Sequence, residues 1–184
     1  MTWRARVAAC SLSLAATLLT AACAVVPETS GALTGETLSG RLTVRVEGSD
    51  GAAAHSLSAA FDLRGDGHVG RLNLSTPLGS VLAQARWAPG SVVLATPQGE
   101  KSFADLDALT REVLGESLPV AALFDWLRGR PWPEAASMSN VPPAEPGFEQ
   151  LGWAVNLARF SEAWVVARRA QAPIVTVRAK LDSP

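Results

Sequence analysis

Few side chains of this 184-residue chain stand in arrangements that could run a reaction. His55 and His68, its two histidines, sit among polar residues near turn sequences and lack the clustered partners that a zinc site needs. Asp105 with Asp107, and Glu134 with Glu145, could in principle divide acid and base work. Their surroundings read instead as a solvated helix face and a polar loop. Ser75, Ser80 and Ser91 have no nucleophile-elbow context, and neither a Walker A nor a G-x-G-x-x-G pattern occurs. Trp126 and Trp132 flank Pro131 and could stack a sugar, although packing in the helical lid accounts for them better. The residues therefore point away from an enzyme, and no catalytic residue, metal or cofactor is expected.

Cys23 carries the clearest chemistry. Arg4 and Arg6 begin a short basic start, Val7 to Leu19 is apolar or small, and Leu19-Thr20-Ala21-Ala22 leads to the cysteine. This is the layout of a secretory signal, too short for a stop-transfer helix. Small residues directly before a cysteine resemble a bacterial lipobox, with Thr20 where a leucine is usual. Residues 1–22 are then a signal peptide and Cys23 becomes the lipidated first residue. Cys10 leaves with the signal, so the mature chain has no disulfide and no cysteine metal ligand. A triacylated cysteine holds a bilayer firmly, since each buried methylene contributes about 0.8 kcal/mol. Ala24 is not the aspartate that in many Gram-negative bacteria retains lipoproteins at the inner membrane, which favours the outer one.

The remaining candidates are binding residues. Leu78 lies between Pro77 and Gly79, a turn context in which an apolar side chain points outward. A second set lies on the inward stripes of the elements below: Leu42, Val44, Phe61, Leu72, Leu74, Trp87, Leu94, Leu123, Trp126, Trp153 and Val155. Taken one at a time, each is also consistent with an ordinary packed core. Formal net charge is −1, which suggests neither nucleic-acid binding nor an electrostatic membrane surface.

The elements that must position these residues read mainly as antiparallel β. Residues 23–37, rich in small and polar types with Pro27, Gly31 and Gly35, read as a flexible tether of roughly 45 Å when extended, at ~3.3 Å per residue. The domain then runs over 38–184. Leu42, Val44 and Val46 alternate with polar neighbours, as do Leu57, Ala59, Phe61 and Leu63. Gly48-Ser49-Asp50-Gly51 predicts the hairpin between them. Further turns at 64–67, 88–90 and 96–99 divide a meander of six strands. The period then lengthens: Phe103, Leu106, Leu109, Val113 and Leu114 share one helical face, with Ser102 and Asp105 as a start signal and Gly115 as a stop. Leu118-Pro119 opens a second short helix through Leu123, Trp126 and Leu127, ended by Gly129. A Pro-rich loop follows, then strands at 150–160, 164–168 and 173–181. Helices inserted within a curved antiparallel sheet must bury their apolar stripe on one sheet face. The result is a half-shell with a helical lid and room for space between the two.

Several of these segments resemble one family. Ser75-Thr76-Pro77-Leu78-Gly79-Ser80, Leu118-Pro119-Val120 through Leu123, Trp126-Leu127-Arg128-Gly129-Arg130-Pro131 and Phe148-Glu149-Gln150-Leu151-Gly152-Trp153, together with the lipobox, are similar in order and spacing to the LolB family, from Leu38 to about Asp182. That resemblance implies an incomplete, half-open antiparallel β-barrel with a short helical lid over an apolar cavity. It implies an outer-membrane receptor, facing the periplasm and monomeric. Such a receptor accepts lipoproteins from a LolA-like periplasmic carrier by their acyl chains and inserts them among outer-membrane lipids. It also places Leu78 at the tip of a membrane-insertion loop. The family often ends in a tryptophan, whereas this chain ends Lys180-Leu181-Asp182-Ser183-Pro184. Two other readings of the residues stay open: an assembly or structural lipoprotein binding a protein partner along a sheet edge, and a carrier of another amphiphilic lipid.

Overall fold

The computed structural model describes residues 37–48 and 54–183. Cys23, the signal, the tether and most of the first hairpin turn lie outside the described residues. Strands β1 (Leu38–Val46), β2 (His55–Gly65), β3 (Gly70–Ser75), β4 (Val81–Ala88), β5 (Ser91–Thr96) and β6 (Gly99–Phe103) come first. Helices α1 (Leu106–Leu114) and α2 (Val120–Trp126) follow. The chain closes with β7 (Ser137–Ser139), β8 (Gly147–Gln150), β9 (Trp153–Asn156), β10 (Trp164–Arg169) and β11 (Val175–Leu181).

The strands form one antiparallel sheet in the order β6-β5-β4-β3-β2-β1-β11-β10-β9-β8-β7. Two meanders are thus joined where the first strand pairs the last. Among the described residues β6 and β7 do not pair with each other, so the barrel stays open, and the chain between these two edges is the helical segment. Period-two patterning decides the faces: Leu38, Val44 and Val46 are buried along β1 while Arg41 and Arg45 are exposed. The same alternation buries Ala59, Phe61 and Leu63 on β2 and Val175, Val177, Ala179 and Leu181 on β11. The last strand, without a terminal tryptophan, pairs along its length with β1 and β10, from Gly40↔Leu181 and Trp164↔Lys180 onward.

Three expectations need correction. Asp105 is itself the cap of α1: its carboxylate accepts from the Ala108 N–H at 2.7 Å, so the helix begins at Leu106, and Phe103 ends β6 instead of joining the helical face. The cap wins because Gly99–Phe103 pairs β5 in register, which holds that segment extended. The expected strand at 150–160 is extended only over Trp153–Asn156: Gln150 ends β8, the chain folds back at Leu151-Gly152, both with positive φ (53° and 75°), and a 3-10 turn begins at Phe160. Asparagine or aspartate usually fills the first such position, and a leucine there hid the hairpin. The Pro-rich stretch contains the short edge strand β7.

Candidate functional site

The helices lie over the concave side of the sheet and enclose a cavity of about 120 Å³. Its floor is Leu42, Val44, Leu57, Phe61, Leu63, Leu72, Leu74 and Val177 from the strands. Its roof is Leu109, Thr110, Val113 and Leu114 from α1, Leu118 from the connection, and Val120, Leu123 and Leu127 at α2. Val120, Leu123 and Leu127 recur at helical spacing, so one side of α2 faces the space. The sole polar lining side chain is Thr110, and its hydroxyl is used up: it donates to the Asp107 carbonyl (3.2 Å) and accepts from the Leu118 N–H (3.0 Å). The wall therefore offers nothing for water to bind, and an apolar hollow of this kind stays dry.

Of the residues picked from sequence, Leu42, Val44, Phe61, Leu72, Leu74 and Leu123 line this space. Trp87, Leu94, Trp126, Trp153 and Val155 do not. Trp126, wholly buried on the flank of α2, meets Trp153 at a tilt (5.9 Å) and Phe148 edge-on (6.5 Å). Trp87 meets Phe124 edge-on at 5.7 Å and donates from Nε1 to the Asp66 carbonyl at 2.9 Å. Val155 is buried on β9, and Leu94 packs against the core from β5. These side chains hold the helix down; they do not form the hollow. An inward stripe identifies side chains on the concave face, but not where facing side chains interlock and where they leave a gap. Leu57, Leu63, Leu109, Leu114, Leu118, Val120, Leu127 and Val177 were missed for that reason.

One polar side chain fixes α2. Gln150 is buried on β8, and its amide makes four bonds. The Oε1 accepts from Trp126 Nε1 (2.8 Å) and the Trp132 N–H (2.9 Å), and the Nε2 donates to the Trp132 and Ala135 carbonyls (2.7 Å each). A buried amide with all its valences met specifies one arrangement. On the other flank, Gly67 in the β2–β3 turn lies so close to α2 that a Cβ there would sit 2.7 Å from Ala121 Cβ. Asp66 shapes that turn. Its carboxylate accepts the His68 and Val69 N–H groups at 2.8 and 2.9 Å, chiefly through the Val69 bond, and its pKa is held below the usual carboxylate value. That contribution is full at neutral pH and fades only as acid protonates the depressed carboxyl. Helix α1 is held by two ion pairs, Glu112 to Lys101 of β6 and, just past its end, Glu116 to Arg169 at 2.8 Å, with Leu109 and Leu114 buried beneath it, while Val113 at the cavity lip is 47 % exposed.

Leu78 stands out from the β3–β4 turn with 96 % of its surface exposed. The turn is stiff: Thr76 N–H donates to the Ser80 carbonyl (2.9 Å), Gly79 N–H to the Thr76 carbonyl (2.9 Å), and Ser80 N–H to Thr76 Oγ1 (3.1 Å). Val81 (55 %) and Leu82 (37 %) extend the exposed apolar surface onto β4. Leu74, a cavity residue, precedes the turn by two residues. The loop and the hollow thus adjoin along one strand.

The residues weighed for catalysis do not form a paired acid–base set, although His68, Asp105 and Asp107 share the rim of one open cleft. His68 Nε2 meets Glu134 Oε1 at 3.0 Å on the surface, Asp105 caps α1, and Glu145 bonds Asn156. Among the described residues no three of His, Cys, Asp and Glu gather as metal ligands. A larger cleft of about 470 Å³ beside Trp87 and Pro89 opens widely to solvent and has Asp105, Asp107 and His68 on its rim.

A family model described as "Outer membrane lipoprotein LolB" matches residues 37–181. The chain is 36% identical over 150 residues to the outer-membrane lipoprotein LolB of Bordetella petrii, covering 78% of this chain and 75% of that protein. It is 34% identical over 153 residues to the protein of the same name in Bordetella pertussis, covering 79% and 76%. With that of Cupriavidus pinatubonensis it shares 34% over 173 residues, covering 88% and 80%.

Proposed function

Because the chain belongs to the LolB family of outer-membrane lipoproteins, we propose that it receives lipoproteins from a LolA-like periplasmic carrier, shelters their acyl chains between sheet and helices, and inserts them into the membrane that anchors its own Cys23. In this reading residues 1–22 are removed and 23–37 tether the domain to the bilayer.

The observation that supports this most directly is a hollow whose wall has no free polar atom, next to a fully exposed leucine. An acyl chain of palmitoyl length costs on the order of 10 kcal/mol to leave in water, at ~0.8 kcal/mol per methylene, and a dry wall removes that cost. The volume adds a condition. About 120 Å³ is below the roughly 300–1,000 Å³ of occupied ligand sites, so the chain must widen the space as it enters.

Transfer runs without nucleotide, so affinity must rise from carrier to this receptor and again to the bilayer. Titration with a fluorescent long-chain acyl probe is expected to show tighter binding here than to the carrier. Leu72→Trp, which fills the hollow, lowers uptake by at least about tenfold, the equivalent of 1.4 kcal/mol. Weaker binding than the carrier's, or full uptake by Leu72→Trp, counts against the reading.

A further inference from the structure

The outward face of the sheet carries a charge pattern that the acyl site does not use. The outward positions of β1, β10 and β11 hold Arg41, Arg45, Arg168, Arg178 and Lys180 and no carboxylate. Among the described residues, Arg41, Arg45, Arg168 and Arg178 have no ion-pair partner. Register brings like charges together: Arg41 lies opposite Lys180, and Arg71 lies opposite both Arg64 and Arg86, which are themselves paired with Asp62 and Glu100. Like charges directly across strands oppose folding, so the fold alone gives no reason for the pattern. The whole chain has net charge −1. The compensating acid sits elsewhere: residues 104–146, with both helices and the Pro-rich loop, hold seven carboxylates against three arginines.

Three of these arginines share a built feature. Arg45, Arg168 and Arg178 line a groove of about 510 Å³ with Thr43, Ser56 and Thr176 beside them and Glu47 as its one acid. Thr176 lies between Arg45 and Arg168 on a single rung, and Arg178 is opposite Thr43. Guanidiniums among hydroxyls suit phosphate oxygens, which they bind as a fork.

We propose that this basic outward face is a docking surface for the anionic phosphate headgroups of the bilayer. Two features select a membrane over an acidic protein. The cations without an ion-pair partner spread over three adjacent strands, β10, β11 and β1, so that several headgroup phosphates can be met at once, while Arg64 on β2 and Arg86 on β4 are paired with Asp62 and Glu100. The same sheet region ends in the apolar loop at Leu78, with Val81, opposite Ser75, and Leu82 at the bulge both exposed at the start of β4. Fixed cations next to an apolar wedge fit the interface between headgroups and acyl chains; an acidic protein would satisfy the cations alone. The inference goes beyond the acyl-receptor reading and does not depend on what the cavity holds.

The test uses the mature chain with Cys23→Ser, so that no acyl anchor masks surface binding. It is mixed with vesicles of phosphatidylcholine alone or with about 30% phosphatidylglycerol. Anionic vesicles are expected to bind at least tenfold more tightly, with the difference shrinking as salt rises. The triple variant R45Q/R168Q/R178Q should lose roughly 100-fold, the factor for three cations at about 1 kcal/mol each. It should stay at least as stable to urea, because repulsion has been relieved. Soluble glycerol phosphate should not release the chain. Equal binding to both vesicles, full binding by the triple variant, or release by soluble phosphate overturns the proposal. So does a triple variant that keeps its vesicles and loses the carrier protein, since the face would then serve a protein partner. Acyl-probe uptake, followed in the same samples, is unchanged by the triple substitution, so failure here and failure of the cavity reading register in different measurements.

Discussion

Leu78→Glu is expected to give a folded protein that takes up acyl chains normally and releases them into membranes at a rate lower by two orders of magnitude or more. With 96 % of its surface exposed, Leu78 contributes nothing to the core. Substitution at such a site changes stability by about 0.5 kcal/mol or less. The turn holds its shape through the backbone of Thr76, Gly79 and Ser80, none of which is altered. At a bilayer the two side chains diverge sharply. A leucine gains about 0.5 kcal/mol on entering the hydrocarbon and an acidic residue loses about 3, a swing near 3.5 kcal/mol, or a few hundredfold. The measurement is transfer of a labelled lipoprotein from the loaded receptor to vesicles, with uptake by the same variant as control. Unaltered release removes the insertion role from this loop, and loss of uptake assigns Leu78 to the cavity instead.

The second large effect separates the clamp from the hollow. Trp126→Ala is expected to cost about 3–5 kcal/mol, the range for a buried aromatic. It empties a site fully enclosed by Trp153 and Phe148 and leaves Gln150 Oε1 one donor short. Leu123→Ala, three residues earlier on the same helix, is expected to cost about 2 kcal/mol or less, at or below the low end for a leucine. Leu123 already faces unfilled space, so its removal enlarges a cavity and strips few contacts. Urea denaturation of the two variants checks the contrast. Equal, large losses would mean that the space under α2 is packed as tightly as the aromatic side.

Much of this was legible beforehand because the physics was local. Alternation along Leu42-Val44-Val46 and Leu57 to Leu63 fixed strand faces, and the lengthened period at Leu106, Leu109 and Val113 marked α1. Proline before and glycine after Leu78 left a buried turn leucine open, and the family resemblance weighed toward the exposed position that the side chain occupies. Apart from the hairpin hidden by Leu151, the failures depend on partners distant in the chain. Trp126 and Leu123 both sit on inward stripes. Which one packs and which lines space is decided by Trp153, Phe148 and Gln150, reached only after the Pro-rich loop has turned back. The outward arginines are scattered as single charges in the sequence, and pairing β1 with β11 and β10 brings Arg45, Arg168 and Arg178 together.

The most direct test of the central claim is to load the receptor with a lipoprotein whose acyl chain carries a photoreactive diazirine, irradiate it, and map the adducts by mass spectrometry. Adducts are expected on the facing walls, at Leu42, Leu72 and Leu74 on one side and Val113 and Leu123 on the other, and not on Trp126, Trp153 or Val155. Adducts confined to the outer face of the sheet, or absent from both walls, would show that acyl chains do not enter the space beneath the helices.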